Sequence, residues 1–404
     1  MRLADSAPFF AAPHRVMFFA GAVQALLAML LWAVDIGGRW GGLWPAPAWP
    51  WPPAWLHALL MIYGVFPFFM FGFTMTAGPR WQGAGELAAG DYLPAFLLMG
   101  GGWLAFYAAL AFAPSLLAAA LGLVLAGWLL GLRAMLGVAL HPAGERDHIV
   151  IVVAALCAGA AGLGLFLAFA AGGPPSLPRA AIELGVWGFL LPIFFAVAHR
   201  MLPFFTAAAL PGYASYRPPW ALRLVVGAAA AHLFLAVLGL AAWLWLADAP
   251  AGAVLLFLSW RWRLGASLAV RMVAVLHIGC AWIGFAVTLY ALQSLLLLSG
   301  RPALGLAPLH ALGIGACASL LLGMVSRVSL GHAGRPIAAD RVIWTGFWTL
   351  QAAAALRMLA EILPLSGPWN PAFIAALLWL AAWSAWALRF APAYFRRRAD
   401  GKPG

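Results

Sequence analysis

Two imidazoles bracket one apolar stretch of this chain: His310 opens and His332 closes the segment HALGIGACASLLLGMVSRVSLGH. A helix of about twenty residues spans roughly 30 Å, so the spacing predicts a histidine near each surface of a membrane. Nine histidines occur in all, and neutral imidazole is a common ligand for haem iron, copper and zinc. His57 opens a second apolar stretch in the same way, HALLMIYGVFPFFMFGFT. Set across from His310 at one depth, it would let two imidazoles hold a haem iron from both faces. The competing account leaves both as interfacial histidines facing water or headgroups.

A second group, His14, His199 and His332, falls at the other ends of apolar stretches, and His277 lies about six residues, roughly 9 Å, inside its own. Their convergence would make a site for copper, zinc or a second haem. Of these, His277 is the strongest on physics alone, because an ionisable group inside a span is costly and usually functional. His232 either joins that group or hydrogen-bonds a neighbouring helix. His141 and His148, beside Glu145, Arg146 and Asp147, read as solvated loop residues.

Arginines stand next to several of these histidines. Arg200 follows His199, and Arg327 and Arg335 flank His332. Such guanidinium groups would neutralise haem propionates, or serve as surface topology charges. Arg357 lies one turn before Glu361, where it would pair with that carboxylate, reach a propionate of a haem at His57 and His310, or snorkel to the interface.

The elements that must position these groups are membrane helices. With 65% hydrophobic and 8% charged residues over 404 positions, the chain is far from a soluble domain, whose shares are nearer one half and one quarter. Residues 1–404 read as one integral membrane domain, an all-α polytopic bundle of about twelve helices. These are expected near 17–34, 55–76, 92–112, 115–135, 149–170, 182–200, 221–246, 251–262, 272–297, 308–329, 341–362 and 371–391. The eighth is short, so it reads as a half-helix or a continuation of the seventh after a break at Pro250. Twelve spans with both termini on one side put nineteen of the 23 Lys and Arg there, against Arg39, Arg179 and Arg301 opposite and Arg357 within a helix. The positive-inside rule makes the richer side cytoplasmic.

The net charge of +12 therefore needs no nucleic acid. Arg396, Arg397 and Arg398 read as a topology determinant beside anionic lipid. The first helix lacks the flanks of a cleaved signal. Outer-loop Trp40, Trp44, Trp49, Trp51 and Trp55 read as an interfacial belt. Cys157, Cys280 and Cys317 read as buried apolar residues with no disulfide framework. All eleven acidic residues fall in loops, tails or helix ends, which disfavours a carboxylate-driven transporter, and no phosphate loop or H-E-x-x-H motif occurs.

Helices two, six and ten start about 126 residues apart and each carries a histidine at or near an end. Three sets of four helices would follow, a helix order like that of the catalytic subunit of haem-copper oxidases, although the oxidase ligand strings are absent.

The segment SRVSLGHAGRP at 326–336 resembles the most characteristic stretch of the NnrS family, polytopic bacterial membrane proteins associated with haem, copper and the response to nitric oxide. HRVMFF at 14–19, HALLMIYGVFPFFMFGFTMTAGPRW at 57–81 and HRMLPFFT at 199–206 support it. Family members often carry a second histidine and a glutamate just after the position of His57; here Leu59 and Leu60 stand there, so a site needing them is altered. The resemblance implies a haem- and copper-containing bacterial inner-membrane protein that protects against nitrosative stress by acting on nitric oxide or its iron and thiol adducts. It carries over His57, His310 and His332 first as ligands, then His14, His199 and His277. The rival reading is a multi-pass transporter with a histidine-lined pathway, and a third is a sensor or assembly factor for another metalloenzyme.

Overall fold

The computed structural model describes residues 8–141, 144–363 and 365–401. Twelve long helical stretches follow one another: α1 Pro13–Arg39, α2 Pro53–Trp81, α3 Ala89–Phe112, α4 Pro114–Ala139, α5 Arg146–Ala170, α6 Leu177–Ala209, α7 Pro219–Val237, α8 Trp245–Arg261, α9 Arg271–Leu298, α10 Ala307–His332, α11 Arg341–Leu359 and α12 Pro371–Tyr394. Proline in the first turn starts many of them, where its missing N–H costs nothing. Asp340 and Asn370 cap α11 and α12 by accepting from first-turn amides.

The result is an all-helical membrane bundle. Among the described residues ten helices are long and apolar enough to cross a membrane, against the twelve expected. The remaining two are α8, with only 17 residues, and α11, which carries Arg341 and Arg357 near its ends.

The seventh and eighth helices depart from the expected bounds. α7 stops at Val237, not near 246, because Gly239 takes φ +75 and the amides of Gly239 and Leu240 turn back to Ala236 and Leu235. α8 then starts at Trp245 as a separate helix with Pro250 inside it, so there is no break at that proline. Cys157 is exposed on α5, contrary to expectation, whereas Cys280 and Cys317 are buried.

The most enclosed helix is α2, with 89% of its apolar window buried, followed by α10 with 78%. With α6 they line one apolar pocket through Phe69 and Met70, Phe194 and Val197, and Leu320 and Met324. Each of these three helices also contains a π-helical segment, at Leu60–Val65, Leu184–Leu190 and Ala311–Ala318. Such segments are rare and often sit at functional sites.

Local partners fit the widened turns. Tyr63 in the first segment donates to the Ala181 carbonyl of α6 at 2.6 Å. Gln351 of α11 donates to Ser319 at 2.6 Å and accepts from Trp282 of α9 at 2.6 Å, beside the last segment.

The first and last described stretches meet at one end of the bundle: Arg15 donates to the carbonyls of Pro8, Tyr394 and Arg396. We call this the termini end and the other the far end. Glycine permits close helix contact between α3 and α4, where a Cβ on Gly127 would lie 2.7 Å from the Met99 amide nitrogen and 2.9 Å from the Ala95 carbonyl. Gly127→Val is expected to destabilise the protein by about 1–3 kcal/mol, read as a lower midpoint in thermal unfolding; Gly122→Val, at a position with open space, leaves it unchanged.

Candidate functional site

At the far end α1, α2, α10 and α11 bring together an imidazole pair and an ion pair. His57, in the first turns of α2, stacks on Trp32 of α1 with ring centroids 4.3 Å apart and planes at 18°. Its Nδ1 is buried and has no hydrogen-bond partner. His310, directly before the π segment of α10, has Nδ1 2.9 Å from the Leu306 carbonyl. A carbonyl only accepts, so Nδ1 carries the proton and Nε2 keeps its lone pair, the tautomer found in metal-bound histidine. His57 and His310 lie within electrostatic reach of each other and of Arg357.

Arg357 does pair with Glu361, at 2.6 Å. The second oxygen of Glu361 accepts from the Leu306 amide at 3.1 Å, so one carboxylate ties Arg357 to the turn that holds His310. Arg357 Nε remains buried and unpaired, available to an acceptor that lies between these groups.

At the termini end the histidines separate into pairs. His14 and His332 have ring centroids 4.3 Å apart, with His14 Nδ1 3.5 Å from Thr76. His199 donates through Nε2 to the Pro218 carbonyl at 3.2 Å, and its Nδ1 accepts from His148 Nε2 at 3.1 Å. His277 Nε2 meets the Thr206 hydroxyl at 2.8 Å, which itself donates to Leu202. Of the four expected there, only His14 and His332 are in mutual contact. Among the described residues no group of three or more His, Cys, Asp or Glu is placed to hold a metal ion.

The arginines divide likewise. Arg200 and Arg217 both pair with Glu145, at 3.0 and 2.9 Å. Arg335 is exposed after α10. Arg327 lies with its guanidinium 3.8 Å from the centroid of the Phe205 ring. Residue 327 is seventeen positions beyond His310, roughly 26 Å along the helix, so Arg327 and Arg335 belong to a different place from the His57 and His310 pair.

Two placements differ from the sequence reading. His148 is buried against His199 and is not solvated; its charged neighbours disguised it, although it lies in the first turn of a helix. His232 joins no termini-end group: its Nδ1 is 2.8 Å from Asp248 of α8, both buried, and its ring stacks on Trp187. An ionisable group well inside a predicted span was the signal that a buried partner had to exist.

Fold and site define a multi-pass helical membrane protein with histidine and arginine side chains at both ends of an apolar pocket lined by α2, α6 and α10. Within that class the chain belongs to the NnrS protein family, which matches residues 8–398. Membership links it to the nitric oxide response. No curated protein matches the chain.

Removing the carboxylate at the far end strands Arg357. Glu361→Ala is expected to cost about 1–3 kcal/mol of stability, measured by thermal unfolding in detergent, and the further change Arg357→Met recovers part of the loss.

Proposed function

We propose that this protein is a haem-containing inner-membrane protein of the nitric oxide response in which His57 and His310 hold the haem and Arg357 faces its propionates. The observation that carries the reading is the far-end constellation: two neighbouring imidazoles with a free Nδ1 and a free Nε2, beside a buried guanidinium with an unpaired Nε. These are residues that would hold a haem, the imidazole nitrogens by its iron and the guanidinium by its anionic propionates. When bound, the haem supplies an iron centre for electron transfer or for ligand chemistry with nitric oxide. The chain's own residues then position it: Leu306 fixes the His310 tautomer, Trp32 sets the His57 ring plane, and Glu361 holds Arg357.

Copper fits less well. His14 and His332 offer two imidazoles, yet Arg15, Arg80 and Arg398 stand around them, and that positive field opposes a divalent ion. Copper(I), with its lower charge, is the form these residues would accept, and His199 and His277 are taken up by other bonds.

The reading includes one membrane domain of twelve helices in three sets of four, both termini in the cytoplasm. The nineteen-to-three bias of Lys and Arg supports the orientation. The π segments of α2, α6 and α10, and the pocket these helices share, support the threefold repeat. A transport pathway is the second reading, favoured by one observation: the central pocket shares Phe73 and Met324 with a cleft at the termini end.

A reduced-minus-oxidised spectrum of the purified protein, expressed with ample haem, separates them. Haem absorption is expected in the wild type and in His332→Ala, and is expected to be lost in His57→Ala and His310→Ala. A colourless wild-type protein would sink the haem reading and direct the work to flux assays.

A further inference from the structure

The termini-end cleft has a volume of about 550 Å³, within the roughly 300–1,000 Å³ of small-molecule sites. It lies between α2, α6 and α10 beside the C-terminal tail, and its walls are of two kinds. Phe73, Phe204, Phe205, Met201, Met324 and Ile337 make it apolar, while Arg80, Arg327 and Arg398 supply three guanidinium groups.

The charges are unequally compensated. Arg80 pairs with Glu86 at 3.1 Å and Arg398 with Asp400 at 2.7 Å. Arg327 has no carboxylate within ion-pair distance among the described residues; its guanidinium rests on Phe205 instead. A partly buried guanidinium supported only by an aromatic face retains its outward N–H donors for an anion, and two further arginines line the same space. His332 borders it as well.

We propose that this cleft binds an amphipathic anion, its carboxylate or phosphate head held by Arg327 with Arg80 and Arg398, its apolar body against the phenylalanines and methionines. A purely polar anion would leave most of the lining unused, and a neutral apolar molecule would leave Arg327 uncompensated. The head belongs either to a membrane lipid or to a free amphiphilic acid. The site is separate from the far-end histidines and does not depend on the haem reading, since its test reads binding and not colour.

The test uses the full-length protein, delipidated in neutral detergent, titrated with oleate, with dioleoylphosphatidylglycerol, with oleyl alcohol and with inorganic phosphate, and read by native mass spectrometry and thermal shift. Saturable binding of one oleate or one phosphatidylglycerol per chain is expected, with oleyl alcohol and phosphate at least about tenfold weaker. Preference for the lipid assigns the source to the membrane, and preference for oleate to a free acid. Arg327→Gln is expected to weaken the preferred ligand at least about tenfold, while Arg301→Gln, which removes a cation from an exposed loop elsewhere, leaves it unchanged. Arg327→Lys, which keeps the charge, guards against a folding defect and is expected to retain binding between the two. Equal loss in Arg301→Gln, undiminished binding in Arg327→Gln, equal affinity for oleyl alcohol, or no saturable binding by the wild type would each overturn the proposal.

Discussion

A polar group in hydrocarbon has no water to turn to, so each one must find its partner inside the protein. This constraint orders the whole bundle. His199 is held by Pro218 and His148, His277 by Thr206, His232 by Asp248, and Trp386 of α12 by Ser326 of α10. Among the described residues ten buried side-chain atoms lack a hydrogen-bond partner, and two of them belong to the far-end site. His57 Nδ1 and Arg357 Nε are buried and unpaired in the same small region of the far end, where His310 also keeps a free nitrogen. The neighbouring far-end groups are satisfied through Glu361 and Leu306.

The three central helices meet a second demand, since a π turn must be accommodated by neighbours that accept its wider backbone. Glycines supply the space. A Cβ on Gly64 would press on Gln24, one on Gly185 on Ile62 and Tyr63, and one on Gly315 on Trp282. In α10 the π segment begins directly after His310 and in α2 three residues after His57. The widened turns thus lie where the two histidines are oriented, and a substitution that restored regular α-helix would rotate the start of each helix relative to the rest.

Hydropathy made the helices legible, because a span of apolar residues is a strong and local signal, and the far-end residues His57, His310, Arg357 and Glu361 were all visible as polar groups at helix ends. What the sequence hid was pairing. The end of α7 was masked because Gly239 sits in a run that stays apolar through Trp245, so only the backbone turn marks it. His148 looked solvated beside Glu145 and Asp147, yet it lies in the first turn of α5 and packs on α6. Arg398 read as one charge in a basic tail, and only the fold brings it to one cleft with Arg327 and with the sequence-distant Arg80. π segments leave no mark in a periodicity of apolar residues when nearly every residue is apolar.

The two ends differ in what their electrostatics permit. At the far end the arginine that acts on both imidazoles, Arg357, is paired with Glu361; at the termini end three arginines, Arg15, Arg80 and Arg398, act on His14 and His332 together. The termini end is therefore the more favourable place for an anion. Between them the pocket lined by α2, α6 and α10 presents Phe69, Phe194, Leu320 and similar residues and no ionisable side chain. Among the described residues the lining of that pocket offers no relay of charged groups for a proton or ion.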